Sequence, residues 1–132
     1  HRDLHSFPTR RSSDLTYGHI IGDIVVQGVA DRCRVNARRG DSLGRYGGDE
    51  FIMLLPGSSL DAAVNVAERI RSLILTQPIE TSAGSISVTA SLGVASLSDH
   101  DVDLISLLIR ADKSMYAAKQ AGRNQVMVAT AQ

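Results

Sequence analysis

Leu43-Gly44-Arg45-Tyr46-Gly47-Gly48-Asp49-Glu50-Phe51-Ile52-Met53-Leu54-Leu55 reads as two short strand-like runs, Leu43–Tyr46 and Phe51–Leu55, folded about a Gly-Gly-Asp-Glu turn. Paired glycines between apolar runs signal a tight hairpin, because the turn needs backbone angles that glycine reaches without strain. Just downstream, Pro56-Gly57-Ser58-Ser59 makes a turn and offers a helix N-cap. Leu60, Ala63, Val64, Ala67, Ile70 and Ile74 then recur at three- and four-residue spacing and mark an amphipathic helix. Upstream, Ile21, Ile24, Val25, Val29 and Cys33 mark another over Ile20–Ala37, with Gly40 as its stop.

Further along, Ile86, Val88, Ala90, Leu92 and Val94 alternate with Ser87, Thr89, Ser91 and Gly93, which predicts one strand with a buried and a polar face. Leu104, Leu107, Leu108, Ala111, Met115 and Ala118 mark a third helix that ends at Gly122, and Val126-Met127-Val128 closes the sheet as a last short strand. The order helix, hairpin, helix, strand, helix, strand predicts an α+β sandwich with a largely antiparallel sheet and helices on it.

The first fifteen residues, His1 to Leu15, read differently, with no clear period and a polar Thr9-Arg10-Arg11-Ser12-Ser13 run. Leu4–Leu15 also resembles the conceptual translation of a sequencing-library adapter. Residues 1–15 are therefore expected to be a non-native or disordered leader, poorly packed or paired loosely at a sheet edge, ahead of a domain over 16–130. An ordinary flexible arm is the alternative.

The 132 residues suit one domain, and a 43% hydrophobic content supplies its core. Fourteen basic and fourteen acidic residues cancel, which gives no electrostatic ground for nucleic-acid or membrane-surface partners. The single cysteine, Cys33, cannot form an internal disulfide, and its helical, apolar neighbours favour a buried thiol over a reactive one. No Cys/His spacing of the zinc type occurs, no apolar run is long enough to span a bilayer, and no signal-peptide core opens the chain. A domain of cytoplasmic type without membrane contact is the expectation.

Arg45-Tyr46-Gly47-Gly48-Asp49-Glu50-Phe51 does not stand alone. Tyr17-Gly18-His19-Ile20-Ile21-Gly22-Asp23 precedes it, and Val88–Ala95, Ala111–Lys119 and Gly122-Arg123-Asn124 follow. In order and spacing these blocks, from Tyr17 to Val128, resemble the GGDEF family of diguanylate cyclases. The resemblance implies a fold similar to nucleotide-cyclase and polymerase palm domains: a central antiparallel sheet, surrounding helices and an acidic hairpin at the active site. It implies an enzyme that condenses two GTP into cyclic di-GMP and two pyrophosphates. It also implies Mg²⁺ or Mn²⁺ as cofactor, and a homodimer, because each domain holds one GTP.

The barrier to such phosphoryl transfer is largely electrostatic, which suits hard cations held by carboxylates. By resemblance, Glu50 is a metal ligand, and Asp49 sits at the metals or helps to deprotonate the attacking 3′-hydroxyl. Gly47 and Gly48 then let the nucleotide approach the backbone. Read alone, the same four residues make an exposed turn with two solvated acids. Asp23 matches a residue that bonds the guanine edge, or else is an acid favoured near a helix start. Lys119 and Arg123 match residues that hold GTP phosphates, or else form an ordinary basic helix end. Arg38 and Asp41 match the family's RxxD product-inhibition motif, or else lie in a charged loop. His19 reads as structural.

The chain departs from the family pattern before Thr16, where the family carries DxDxFKxIND. Counted back from His19 without gaps, Ser6 takes the place of the first-strand metal aspartate, Asp14 that of the guanine-binding asparagine, and Arg11 that of a lysine. Two functions of different class remain open. One is the GTP-condensing synthase, as inferred for the parent protein. The other is a catalytically degenerate module that binds cyclic di-GMP or GTP.

Overall fold

The computed structural model describes residues 2–6, 12–46, 50–97 and 103–129. The elements are β1 (Arg2–Ser6), α1 (Ser12–Val35), β2 (Ser42–Tyr46), β3 (Glu50–Pro56), α2 (Leu60–Thr76), β4 (Ile79–Thr81), β5 (Gly84–Ile86), β6 (Leu92–Ser96), α3 (Leu104–Gln120) and β7 (Val126–Val128). Five strands form one sheet in the order β2-β3-β1-β6-β7, and β4 and β5 form a separate hairpin. All pairings are antiparallel except β6 with β7, which is parallel. This is the α+β class expected.

The sheet separates two apolar layers. Phe51, Met53 and Leu55 of β3 and Leu92 and Val94 of β6 face α1 and α2, where Val25, Val29, Cys33, Ala63, Ala67, Ile70 and Ile74 are buried. On the other face Ala95 packs with Leu107 and Ala111 of α3, beside Ile52 and Leu54. The alternation along β3, buried at Phe51, Met53 and Leu55 and half-buried between, follows the period of two of a pleated strand. Ser59 caps α2 as expected, its hydroxyl accepting from the Ala62 N–H at 3.1 Å, a contribution of about 1 kcal/mol.

Three expectations need correction. Arg2–Ser6 does not pair loosely at an edge: it is the middle strand, registered against β3 from Arg2↔Pro56 to Ser6↔Ile52 and against β6 from Asp3↔Ser96 to Ser6↔Gly93. Ladder bonds are made by the backbone, so a polar segment without strand periodicity completes a sheet once both neighbours present unpaired N–H and C=O groups. Phe7 lies outside the described residues. The first helix begins at Ser12 rather than Ile20, broken at Gly18 (φ 84, ψ 178), a conformation that glycine alone takes readily. The alternating run Ile86–Val94 is not one strand. It splits into the end of β5 and the start of β6, with residues 87–91 between them outside both strands, while Ile86, Val88, Ala90, Leu92 and Val94 are all buried.

Gly93 fixes how closely α3 lies on the sheet. A Cβ there would sit 2.1 Å from the carbonyl oxygen of Ala111 and 2.4 Å from the backbone nitrogen of Met115. Backbone cannot yield as a side chain can. Gly93→Ala is expected to push α3 off β6 and destabilise the fold by about 2 kcal/mol or more, lowering the thermal midpoint by roughly 5–15 °C in a circular-dichroism melt.

Cys33 is fully buried on α1. Burial pushes its thiol from 9.0 up to about 12, against a smaller lowering by Arg34. With the folded value above the unfolded one, its contribution to stability is complete below about pH 9 and is lost as pH rises from 9.0 toward 12. Cys33→Ala should therefore show a shallower loss of stability over that range in urea titrations, and native Cys33 should resist thiol reagents until the protein unfolds.

Candidate functional site

Strand direction decides which sequence blocks meet. β1 ends at Ser6, β3 begins at Glu50 and β6 begins at Leu92, and the ladders Ser6↔Ile52 and Ser6↔Gly93 place these ends together. β7 runs parallel to β6 from Val126↔Leu92, so the Gly122-Arg123-Asn124 turn that leads into β7 lies at this end too. α1 follows β1 from the same end. The hairpin blocks, the helix start and the C-terminal turn, spread over the whole sequence, thus share one end of the sheet.

Glu50 opens β3, half-buried and paired in register with Tyr46. Gly47, Gly48 and Asp49 lie outside the described residues. Asp23 is exposed on α1, five residues beyond the break at Gly18. His19 is also exposed. Lys119 occupies the last turn of α3, and its carbonyl accepts from the Gly122 N–H at 3.4 Å. A cleft of about 480 Å³ between Tyr46, Ile109, Asp112 and Lys113 flanks the hairpin on the α3 side, and among the described residues none of the predicted site residues lines it.

The turn carrying Arg123 is unusual. Arg123 (φ 64) and Asn124 (φ 49) are consecutive non-glycine residues in the left-handed region, a conformation costing of order 1 kcal/mol each. Two bonds hold it. The Arg123 N–H donates to the Ala118 carbonyl at 2.9 Å, and Nη1 of Arg71 on α2 donates to Oδ1 of Asn124 at 3.0 Å. Arg71 is itself fixed by its Nε donating to Glu68 at 3.0 Å. The sequence reading missed Arg71, because nothing in a helix-surface arginine reveals a partner 53 residues away.

Arg38 and Asp41 lie at the opposite end. They precede β2, whose first residue pairs with Leu54 near the end of β3, so roughly 17 Å of strand separates them from the hairpin tip. The two form a closed turn: Asp41 N–H donates to the Arg38 carbonyl at 3.0 Å, and Arg38 N–H donates to Oδ2 of Asp41 at 2.7 Å. Nε of Arg38 stands 3.7 Å from the same carboxylate, whose side chain is only 3% exposed while that of Arg38 is 58% exposed.

As a metal site the described residues are incomplete. No group of three or more His, Cys, Asp or Glu among them could hold an ion. Glu50 is the described carboxylate at the hairpin, and Ser6, a neutral residue, pairs on β1 with Ile52, two residues along β3 from it. Among the described residues, that donor set falls short of the several anionic oxygens a divalent cation needs.

A family model described as "Diguanylate cyclase, GGDEF domain" matches residues 11–125. The chain is 44% identical over 111 residues to Diguanylate cyclase A of Treponema denticola, covering 84% of this chain and 30% of that protein. It is 40% identical over 114 residues to the response regulator PleD of Caulobacter vibrioides, covering 85% of this chain and 25% of PleD. The chain thus spans less than a third of these relatives. Among solved structures, the GGDEF domain of PA1120 (YfiN or TpbB) from Pseudomonas aeruginosa superposes with a TM-score of 0.92 at 30% identity, covering 99% of this chain and 83% of that one. The GGDEF domain of DgcB from Caulobacter crescentus, solved in complex with c-di-GMP, gives 0.89 at 27% identity, covering 96% and 77%.

Removing the Arg71 side chain leaves two left-handed residues without their cross-helix support. Arg71→Ala is expected to cost about 1–2 kcal/mol and to speed amide exchange selectively across Gly122–Gln125. Unchanged protection there would show that the turn stands without α2.

Proposed function

This chain belongs to the GGDEF family, and from that premise we propose that its parent protein is a diguanylate cyclase joining two GTP molecules into cyclic di-GMP. In each half-reaction the 3′-oxygen of one ribose bonds to the α-phosphorus of the other GTP. The α–β bridging bond breaks, pyrophosphate leaves, and the hydroxyl proton passes to Asp49 or to water. Glu50 lies at the reacting end, Asp23 bonds the guanine edge, and Gly47 and Gly48 admit the nucleotide to the backbone. Lys119 and Arg123 neutralise phosphate charge from the end of α3. Two domains face each other, each with one GTP. What supports this reading is the meeting of the hairpin, the α1 start and the Gly122–Asn124 turn at one end of the sheet.

Mg²⁺ or Mn²⁺ is the group this chemistry calls for, and the residues before Thr16 are where the chain fails to fit it. With Ser6 beside Ile52, two residues from Glu50 along β3, β1 brings no carboxylate to this position. That observation favours a second reading for the chain as written: a degenerate module that binds cyclic di-GMP or GTP, with Arg38 and Asp41 as the product site. Among the described residues no helix is long and apolar enough to cross a membrane.

The two readings separate in one assay. With GTP and Mg²⁺ the unmodified chain should make little or no cyclic di-GMP, because misplacing the α-phosphate by about an ångström costs on the order of a hundredfold in rate. Ser6→Asp combined with Asp14→Asn should raise synthesis at least tenfold, in a manner that increases with protein concentration, and adding Glu50→Ala should remove it. Brisk synthesis by the unmodified chain, or a restored variant indifferent to Glu50, would place the metal site elsewhere.

A further inference from the structure

The Arg38–Asp41 turn does not stand alone at its end of the sheet. Nη2 of Arg38 donates to the hydroxyl of Ser58 and, at 3.5 Å, to the carbonyl of Pro56. Ser58 is 5% exposed, and its N–H bonds the Leu55 carbonyl at 3.3 Å, so the acceptor is fixed in the β3–α2 connection next to the Ser59 cap. We infer that Ser58 is a positioning residue of the Arg38–Asp41 site, holding the arginine fork in place for a purine or phosphate acceptor. The inference rests on the reading of Arg38 and Asp41 as product-binding residues.

Two features carry it. The first is the cost of ordering. An arginine on an exposed loop samples many rotamers, and a ligand that bonds its fork must select one of them. A protein acceptor that already selects that rotamer removes the cost from binding. The second is that tether and ligand need not compete. A guanidinium has five donors in a plane. Ser58 and Pro56 take the Nη2 corner and Asp41 lies against Nε, while among the described residues no protein group accepts from Nη1. The side chain is 58% exposed although three protein groups flank it, so an edge of the fork stays open to solvent. The arginine is held at its back and presented at its front. Because Ser58 sits one residue before the Ser59 cap, this geometry also ties the site to the first turn of α2.

Isothermal titration of cyclic di-GMP into the unmodified chain, Ser58→Ala, Arg38→Ala and the double variant tests the inference. Ser58→Ala should bind about threefold to tenfold more weakly, and the double variant should bind no more weakly than Arg38→Ala alone. Ser58→Thr and Ser58→Val have the same shape and differ by the hydroxyl, so any packing fault is common to both, and the threonine variant should bind more tightly. If Arg38→Ala weakens binding while Ser58→Ala binds as well as the unmodified chain or better, the positioning role is wrong and the product site stands. If the unmodified chain does not bind, or Arg38→Ala binds as well as it does, the product-site reading fails and the role of Ser58 with it.

Discussion

The sheet is continuous only through β1. Its order, β2-β3-β1-β6-β7, joins one antiparallel pair to one parallel pair through a strand that bonds on both sides. Without Arg2–Ser6 the inner edges of β3 and β6 would each present a row of unpaired backbone groups beneath α1, α2 and α3. Buried amides and carbonyls without partners are costly, so the middle position must be filled. What fills it also aligns the ends of β3, β6 and β7, and through them the hairpin and the C-terminal turn. The same strand delivers position 6 to the mouth of that end, where the residue's chemistry, unlike its backbone, matters.

A second constraint fixes the third dimension of the site. Gly93 lets the backbone of α3 rest against the backbone of β6, closer than any side chain allows. That contact sets where the last turn of α3 ends, and with it Lys119 and the left-handed Arg123–Asn124 pair. Arg71 then links this turn to α2 on the opposite face of the sheet. The C-terminal part of the candidate site is thus braced from both layers by bonds that involve no ligand.

The β2–β3 hairpin spans the distance between the two candidate sites. Glu50 stands where β3 begins, and Arg38, Asp41 and the Ser58 connection stand at the other end. The ladder runs unbroken between them, from Ser42↔Leu54 to Tyr46↔Glu50.

Much of this was legible in the residues. Helical spacing from Ile21 to Cys33 and from Leu60 to Ile74 follows from the period of a helix, and the pairing of the two runs that became β2 and β3 follows from their apolar pattern about a turn. The Ser59 cap and the buried Cys33 were readable for the same reason. The sequence blocks also carried the family, since residue type and spacing are preserved wherever chemistry requires them. Tertiary structure alone decided the rest. Arg2–Ser6 has no strand periodicity, and it becomes the central strand because its neighbours supply bonding partners on both sides. The run Ile86–Val94 alternates like one strand yet breaks in two, and both faces of β6 are buried because helices cover both. Arg71 with Asn124 and Ser58 with Arg38 are pairs between distant segments, 53 and 20 residues apart. No periodicity encodes such a pair; the packing of α2 brings Arg71 to the C-terminal turn, and the β2–β3 pairing brings Arg38 beside the connection that carries Ser58.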